Sequence, residues 1–206
     1  MTVYIIIGIV AYIIGSISFS VIFSRKFAGF DVREKGSGNA GTTNVLRTVG
    51  KKIAILTLIC DALKGIVAII IAIIIGKLAN NVDIALLVQI SSIMVILGHT
   101  FPIFFEFRGG KGVATSLGVL LMINWQIGLI CLVFALIIMA ITRVVSIGSI
   151  LAAILFPVLT LFLDGQYFIV KGNYLIFSII MALIVMFNHR TNIKRILKGN
   201  ENKITN

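Results

Sequence analysis

The sequence predicts an all-α, polytopic integral membrane protein, and three observations carry that prediction. The 206-residue chain is 59% hydrophobic, with a mean hydropathy of +1.14; soluble domains are roughly 45–50% apolar. Its apolar residues gather into blocks of bilayer-crossing length. Its cations fall almost wholly on one side of those blocks. A chain of this size is expected to form one membrane-embedded domain over residues 1–206, with lipid rather than water completing its exterior.

The blocks, in order, are Tyr4–Phe23, Ile53–Gly76, Ile84–Leu97, Val113–Ile141, Val144–Leu163 and Tyr174–Phe187. A hydrocarbon core about 30 Å thick is crossed by about 20 helical residues. The first two blocks and Val144–Leu163 meet that length. Ile84–Leu97 meets it by extending through the Phe101–Phe107 aromatics as a tilted or broken span, and Tyr174–Phe187 by including its flanks. Val113–Ile141 has 29 residues, too many for one comfortable crossing, and Asn124-Trp125-Gln126 marks its middle. A single crossing would put Lys111 and Arg143 on opposite sides and send the basic tail outside. Two short helices turning near Asn124 avoid this. The expectation is therefore seven transmembrane helices, the fourth and fifth forming a short hairpin, with the N-terminus outside and the C-terminus cytoplasmic. Six spans, or five with re-entrant segments, also satisfy the lengths.

The net charge of +11 tests the topology. Arg25, Lys26, Arg33, Lys35, Arg47, Lys51 and Lys52 lie between the first two long blocks, and Arg190, Lys194, Arg195, Lys198 and Lys203 follow the last. Arg108, Lys111 and Arg143 complete a cytoplasmic set of fifteen. Lys77 and Lys171 fall in the opposite loops, and Lys64 sits inside a span. This is a positive-inside pattern, and no aromatic-interleaved basic stripe indicates nucleic acid. No positive segment precedes Tyr4 and no A-x-A-like site follows the first block, so that block is expected to be a retained anchor with its N-terminus outside. Cys60 and Cys131 read as small core residues. No cysteine pair, HEXXH pattern or carboxylate cluster indicates a metal or cofactor. No internal repeat is visible, and Asn200–Asn206 reads as a frayed tail.

Three polar, glycine- and cation-rich islands interrupt the apolar chain: Gly36–Arg47, Gly98–Thr115 and Asn188–Arg195. Such backbone is tolerated at a membrane only where it meets water or lines a cavity. The charge pattern places all three on the cytoplasmic side. The first, GSGNAGTTN followed by Arg47, fits an anion-binding nest in which glycines expose backbone N–H groups; a flexible interhelical turn has the same composition. In the second, Gly109-Gly110-Lys111-Gly112 runs directly into an apolar helix, suiting either an anion at a helix start or a positive-inside anchor. It is not a Walker A loop, since Phe105 stands where that loop needs its first glycine and Gly112 where it needs Ser or Thr. In the third, His189 and Asn192 share a helical face, and the histidine suits a structural role or a general base. His99 suits a helix-end donor before Pro102. Asp61 and Lys64 are ionisable residues within a span, either functional or mutually neutralising. Glu106 is the sole carboxylate inside an island.

Together these segments resemble the three signature motifs of the bacterial acyl-phosphate:glycerol-3-phosphate acyltransferase family: G-S-G-N-x-G-A-T-N-x-x-R, G-H-x-F-P-x-F-x-x-F-K-G-G-K-x-V-A-T and N-H-x-x-N-I-x-R. Asp61-Ala62-Leu63-Lys64-Gly65 is similar to the family's D-x-x-K-G segment. The likeness spans nearly the whole chain in the expected order. Thr42 stands where Ala is usual, and Arg108 replaces the commoner Lys.

The resemblance implies transfer of a fatty acyl group from acyl phosphate to the 1-hydroxyl of sn-glycerol 3-phosphate, giving 1-acylglycerol 3-phosphate (lysophosphatidate) and phosphate, the first step of phospholipid synthesis. It implies no metal, no cofactor and no obligatory protein partner; the partners would be the two substrates and membrane lipid. Ser37, Arg47, Lys111, His189 and Asn192 would surround glycerol 3-phosphate and form the catalytic set. Asn39, Thr43, Asn44, Gly109, Gly110, Gly112 and Thr115 would cradle the acyl-phosphate head. Gly36, Gly38, Ser146 and Arg195 join the substrate-binding set, Ser146 from a separate loop. The hydroxyl proton would pass to His189 or, in the favoured reading, to the leaving phosphate. The H-x-x-x-x-D signature of acyltransferases with soluble donors is absent, Phe104 and Lys194 standing at that spacing after His99 and His189. A membrane carrier for an organic phosphate is the alternative function for the same basic loops.

Overall fold

The computed structural model describes residues 1–163 and 172–204. Lys171, expected in a loop, lies outside the described residues. Within them the chain forms ten α-helices and two short 3-10 turns, with no strand. It divides into two compact units, Met1–Met122 and Ile123–Asn206.

In the first unit, α1 (Thr2–Gly15) and α2 (Phe19–Ala28) form one 27-residue apolar segment with an irregular step between them. The short α3 (Thr42–Thr48) precedes the 28-residue α4 (Lys51–Leu78). Asp83 Oδ1 accepts the Ala85 and Leu86 N–H groups and so starts α5 (Ile84–Thr100). A 3-10 turn at Ile103–Phe105 extends this block to 22 residues, as the aromatics predict. The 11-residue α6 (Val113–Ile123) follows. α5 packs against α1 and α4. Small residues set the approach: a Cβ on Gly15 would lie 2.8 Å from the Val95 carbonyl carbon, and one on Gly118 2.7 Å from that of Ala62. Lipid tails offer helices no hydrophobic drive to associate, so close van der Waals contact takes that part. Ile7, Ile69, Leu87 and Ile96 are fully buried in this unit, while Ile5, Ile9, Ile59 and Leu63 present an apolar exterior.

In the second unit, α7 (Trp125–Thr142) and α8 (Val145–Phe162) have 18 residues each, followed by α9 (Leu175–Asn188) and α10 (Arg190–Leu197). α7 packs on α8 and α8 on α9. Gly148 stands against the Ala135 carbonyl oxygen, 2.7 Å from where its Cβ would be. The Phe156 and Phe177 rings meet edge to face at 6.2 Å.

The break at Asn124 occurs as expected. Its extended backbone cannot continue a helix, and its side chain caps α7 by accepting the Ile127 N–H at 3.0 Å. Only one of the flanking helices is short, however. α6 has 11 residues, whereas α7 runs to Thr142 and is long enough to cross. Among the described residues five segments meet the length and hydropathy of a span, and the α9–α10 pair, bent by 63°, meets them only if both helices are counted as one broken span. Lys77 is not in a loop: it ends α4, where a cation faces the helix dipole favourably. Both cysteines are free, with Cys131 buried and Cys60 only half-buried rather than in the core.

Candidate active site

The first island is shaped around one side chain. Asn44 Oδ1 accepts the Ser37 N–H at 2.9 Å, and its Nδ2 hydrogens are shared among the carbonyls of Val32 (2.8 Å), Lys35 (3.0 Å) and Asn39 (3.0 Å). Gly36 has a φ of +63°, and a Cβ there would collide with the Asn44 amide, so the turn requires glycine. Asn44 is buried and committed to the loop, whereas Ser37 and Gly38 are exposed and Asn39 and Thr43 half-buried. Arg47 is not in the loop itself; it is exposed on the last turn of α3.

The approach to this loop is locked by Asp31. Its carboxylate accepts from the Arg33 N–H (2.9 Å), from Arg33 Nη2 (2.8 Å) and from Arg25 Nη2 (2.8 Å). Burial alone would push this carboxyl up, but the hydrogen bonds from Arg33 and Arg25 outweigh it and hold the pKa at about 2. Arg33 Nη1 then reaches the Phe105 carbonyl at 2.7 Å, tying the segment that leads into the first island to the second. Sequence reasoning missed this tie, although a lone Asp among Arg25, Lys26 and Arg33 was a readable signal.

The two islands also join through their backbones. The Ala40 N–H donates to the Gly109 carbonyl at 3.4 Å, and Ser20 Oγ donates to the Ala40 carbonyl at 2.8 Å. Gly109 and Gly110 donate to the carbonyls of Thr100 and His99, each at 3.1 Å. Gly110 packs so closely that a Cβ would overlap His99 Nε2 and lie 2.8 Å from the Ala40 carbonyl oxygen. Half-buried Lys111 and buried Gly112 lead into α6, and Thr115 is fully buried in its first turn. Thr115 Oγ1 has no hydrogen-bond partner among the described residues.

Beneath this loop lies a buried polar chain. Lys64 Nζ stands 2.8 Å from Asp61 Oδ1 and donates at 2.8 Å to the Ile17 carbonyl, which the α1–α2 step leaves outside either helix. His99 Nδ1 is 3.5 Å from the same Asp61 oxygen, so the ring faces the span interior rather than capping its own helix end. Asp61 and Lys64 do neutralise each other, as one reading of the sequence held, and they do so directly under the His99–Gly110 contact.

In the second unit, His189 stands between α9 and α10, its ring buried and held 2.8 Å from the Val185 carbonyl through Nδ1. A carbonyl can only accept, so Nδ1 carries a proton and donates it to Val185. One turn on, Asn192 is 4% exposed. Its Nδ2 donates to Glu201 Oε1, to which Ser146 Oγ also donates at 3.0 Å, and Arg195 Nε donates to Glu201 Oε2 at 2.6 Å. Three predicted substrate contacts thus converge on a residue that sequence reasoning did not select. Ser146 is in the first turn of α8, not in a loop. The tail is not frayed through residue 204, because Glu201 is anchored and the Ile204 N–H donates to the Arg143 carbonyl at 2.7 Å. Thr205 and Asn206 lie outside the described residues.

The apolar exterior, the spans and the interlocked glycine loops define a polytopic helical membrane protein with polar, cation-bearing loop segments. The chain belongs to the glycerol-3-phosphate acyltransferase family, whose model matches residues 5–199. Glycerol-3-phosphate acyltransferase of Clostridioides difficile (strain 630) is 43% identical over 98% of this chain and 95% of its own length. That of Thermoanaerobacter sp. (strain X514) is 41% identical over 96% and 93%. Among solved structures, the glycerol 3-phosphate form of PlsY (YgiH), an integral membrane glycerol 3-phosphate acyltransferase, is 35% identical. It covers 98% of this chain and 96% of that one, with a TM-score of 0.85. The lysophosphatidic acid form is 33% identical, with a TM-score of 0.83 and coverage of 98% and 95%. These likenesses support acyltransferase activity and not the carrier alternative.

Proposed function

We propose that the chain transfers a fatty acyl group from acyl phosphate to the 1-hydroxyl of glycerol 3-phosphate, on the cytoplasmic side of a bacterial plasma membrane. The observation that carries this reading is the Ala40–Gly109 pairing, which joins two glycine-rich donor segments beside Lys111. Backbone N–H groups and a lysine suit a phosphate and the negative charge that develops on an attacked acyl carbonyl. The glycerol 3-phosphate and lysophosphatidic acid forms of the solved relative support the acceptor and the product class. The reading takes the shorter α6 and α9 as crossings beside the five long segments, with the fifteen cations in loops on one side, an outside N-terminus, a cytoplasmic C-terminus and one functional domain over residues 1–206.

In this reading Ser37, Arg47, Lys111, His189 and Asn192 hold glycerol 3-phosphate. Gly36, Gly38, Asn39, Thr43, Gly109, Gly110, Gly112 and Thr115 shape or contact the acyl-phosphate seat, with Asn44 acting through the loop it organises. The 1-hydroxyl oxygen attacks the acyl carbonyl carbon, and the bond from that carbon to the bridging phosphate oxygen breaks. The hydroxyl proton passes to the departing phosphate, which leaves as inorganic phosphate. Acyl phosphate is already activated and carries basic oxygens, so positioning is the protein's main contribution. His189 Nε2 would orient the hydroxyl.

The test is phosphate release by the purified protein given palmitoyl phosphate and glycerol 3-phosphate. Release that requires both substrates is expected. Acyl transfer from acyl-CoA or acyl carrier protein, with none from palmitoyl phosphate, would overturn the donor assignment.

A further inference from the structure

Ser146, Asn192 and Arg195 come from two helices, α8 and α10, yet one carboxylate gathers all three. We propose that Glu201 is a positioning residue for the acceptor substrate: it sets the Asn192 amide and the Arg195 guanidinium in the orientation that binds glycerol 3-phosphate. The inference rests on the acyltransferase reading above and adds to it a residue outside all three islands.

The geometry separates a built-in brace from a loose tail. α10 ends in a left-handed turn at Gly199, with a φ of +69°. The Asn200 N–H returns to the Arg195 carbonyl and the Gly199 N–H to the Ile196 carbonyl, each at 3.0 Å. This is the paired closure of a Schellman turn, which glycine favours because it bears no Cβ. The turn throws the next residue, Glu201, back along α10. Three residues later the Ile204 N–H is tied to the Arg143 carbonyl at 2.7 Å. The carboxylate is therefore pinned from both sides, and its side chain is only 7% exposed. Burial alone would push this carboxyl up; the hydrogen bonds from Arg195, Asn192 and Ser146 outweigh it and hold it below the ordinary carboxylate range.

The bonding pattern also has a direction. Glu201 takes the Asn192 Nδ2 end and so decides which way the amide carbonyl turns. It engages Arg195 through Nε, the nitrogen nearest the stem, rather than through the two-Nη fork that suits phosphate. A carboxylate that merely occupied a phosphate seat would compete for that fork.

The experiment measures the KM of each substrate for purified Glu201→Gln, by phosphate release from palmitoyl phosphate and glycerol 3-phosphate. Loss of a charge-assisted brace is expected to raise the glycerol 3-phosphate KM about tenfold, leaving the palmitoyl phosphate KM within about twofold because only the acceptor side is braced. In an Asn192→Ala background the same substitution is expected to have a smaller effect. An unchanged glycerol 3-phosphate KM overturns the proposal, as does an equal rise in both KM values. A fall in the glycerol 3-phosphate KM overturns it too, making the carboxylate a competitor. If Glu201→Gln does not accumulate, Glu201→Asp keeps the charge but shortens the reach, and the same outcomes apply. Wild-type protein inactive with palmitoyl phosphate would instead defeat the underlying reading, and the proposal with it.

Discussion

The His99 ring lies against the α-carbon of Gly110, whose N–H donates to the carbonyl of His99 itself at 3.1 Å. The contact joins the end of α5 to the glycine turn before α6, and Ala40 closes it from the first island. Gly110→Ala would drive a methyl into Nε2 and towards the Ala40 carbonyl. Rigid neighbours on both sides leave movement of the loop as the only relief. A displacement of about 1 Å at a reacting centre costs on the order of 10²-fold in rate. The expected outcome is that loss in kcat/KM with the helical fold retained, read by phosphate release and circular dichroism. Wild-type kinetics would show that the loop does not depend on this packing.

Asp31 is expected to govern the stability of the first island. Asp31→Asn leaves the Arg33 guanidinium, itself 7% exposed, without its counter-charge. Breaking a buried pair from one side costs about 3 kcal/mol, which thermal unfolding of the detergent-solubilised protein would read. The pH dependence has a definite sign. The carboxyl is held at about 2 against an ordinary 3.8, so its stabilisation is complete above the ordinary value and is lost as pH falls through about 2. The stability advantage of wild type over Asp31→Asn should hold at pH 5 and shrink towards pH 2. An advantage independent of pH would point to packing rather than charge.

The Asp61–Lys64 pair yields a double-mutant prediction. Lys64→Met strands Asp61 in the span and frees the Ile17 carbonyl, with an expected loss of about 3–5 kcal/mol. Asp61→Leu combined with Lys64→Met removes both charges, leaving the neutral Ile17 carbonyl and His99 Nδ1 without these partners. The double variant should unfold at a higher temperature than the Lys64→Met single. Strictly additive losses would mean that the two residues do not act as a pair.

His189 separates the two routes for the proton. With the phosphate as acceptor, His189→Gln should keep substantial turnover while its glycerol 3-phosphate KM rises about tenfold, the loss of one hydrogen bond to a charged or polar substrate. Abolished turnover with unchanged glycerol 3-phosphate binding by calorimetry would make the histidine the base.

Much of the fold was legible because its causes are local. Block length and hydropathy mark the spans, and Asn124 marks a break because its own side chain can cap the next helix. Even the extension of α5 through the aromatics followed from length. The length of α7 was harder to read, because where a helix stops inside a continuous apolar run depends on its packing partners. At the site, glycine spacing marked the two loops that meet, whereas His189, expected to share a helical face with Asn192, stands at the break between α9 and α10. Asn44 was chosen as a substrate contact, and its role in holding the loop together was not readable, since only the folded chain brings the Val32, Lys35 and Asn39 carbonyls to one amide. Ser20 and Glu201 carried no signal at all: a serine in an apolar block and a glutamate in a polar tail look ordinary until distant segments meet them.

The sequence by itself determined the membrane class, the three islands and the family, because hydropathy, charge and motif spacing are properties of the chain alone. Tertiary structure decided which polar groups satisfy one another: Lys64 with the Ile17 carbonyl, Arg33 with Phe105, Ala40 with Gly109, and Glu201 with Ser146, Asn192 and Arg195. The reason is physical. A buried donor or acceptor away from water must find a partner, and which partner it finds depends on helix steps and turns that bring together distant residues, as with Arg33 and Phe105, 72 positions apart.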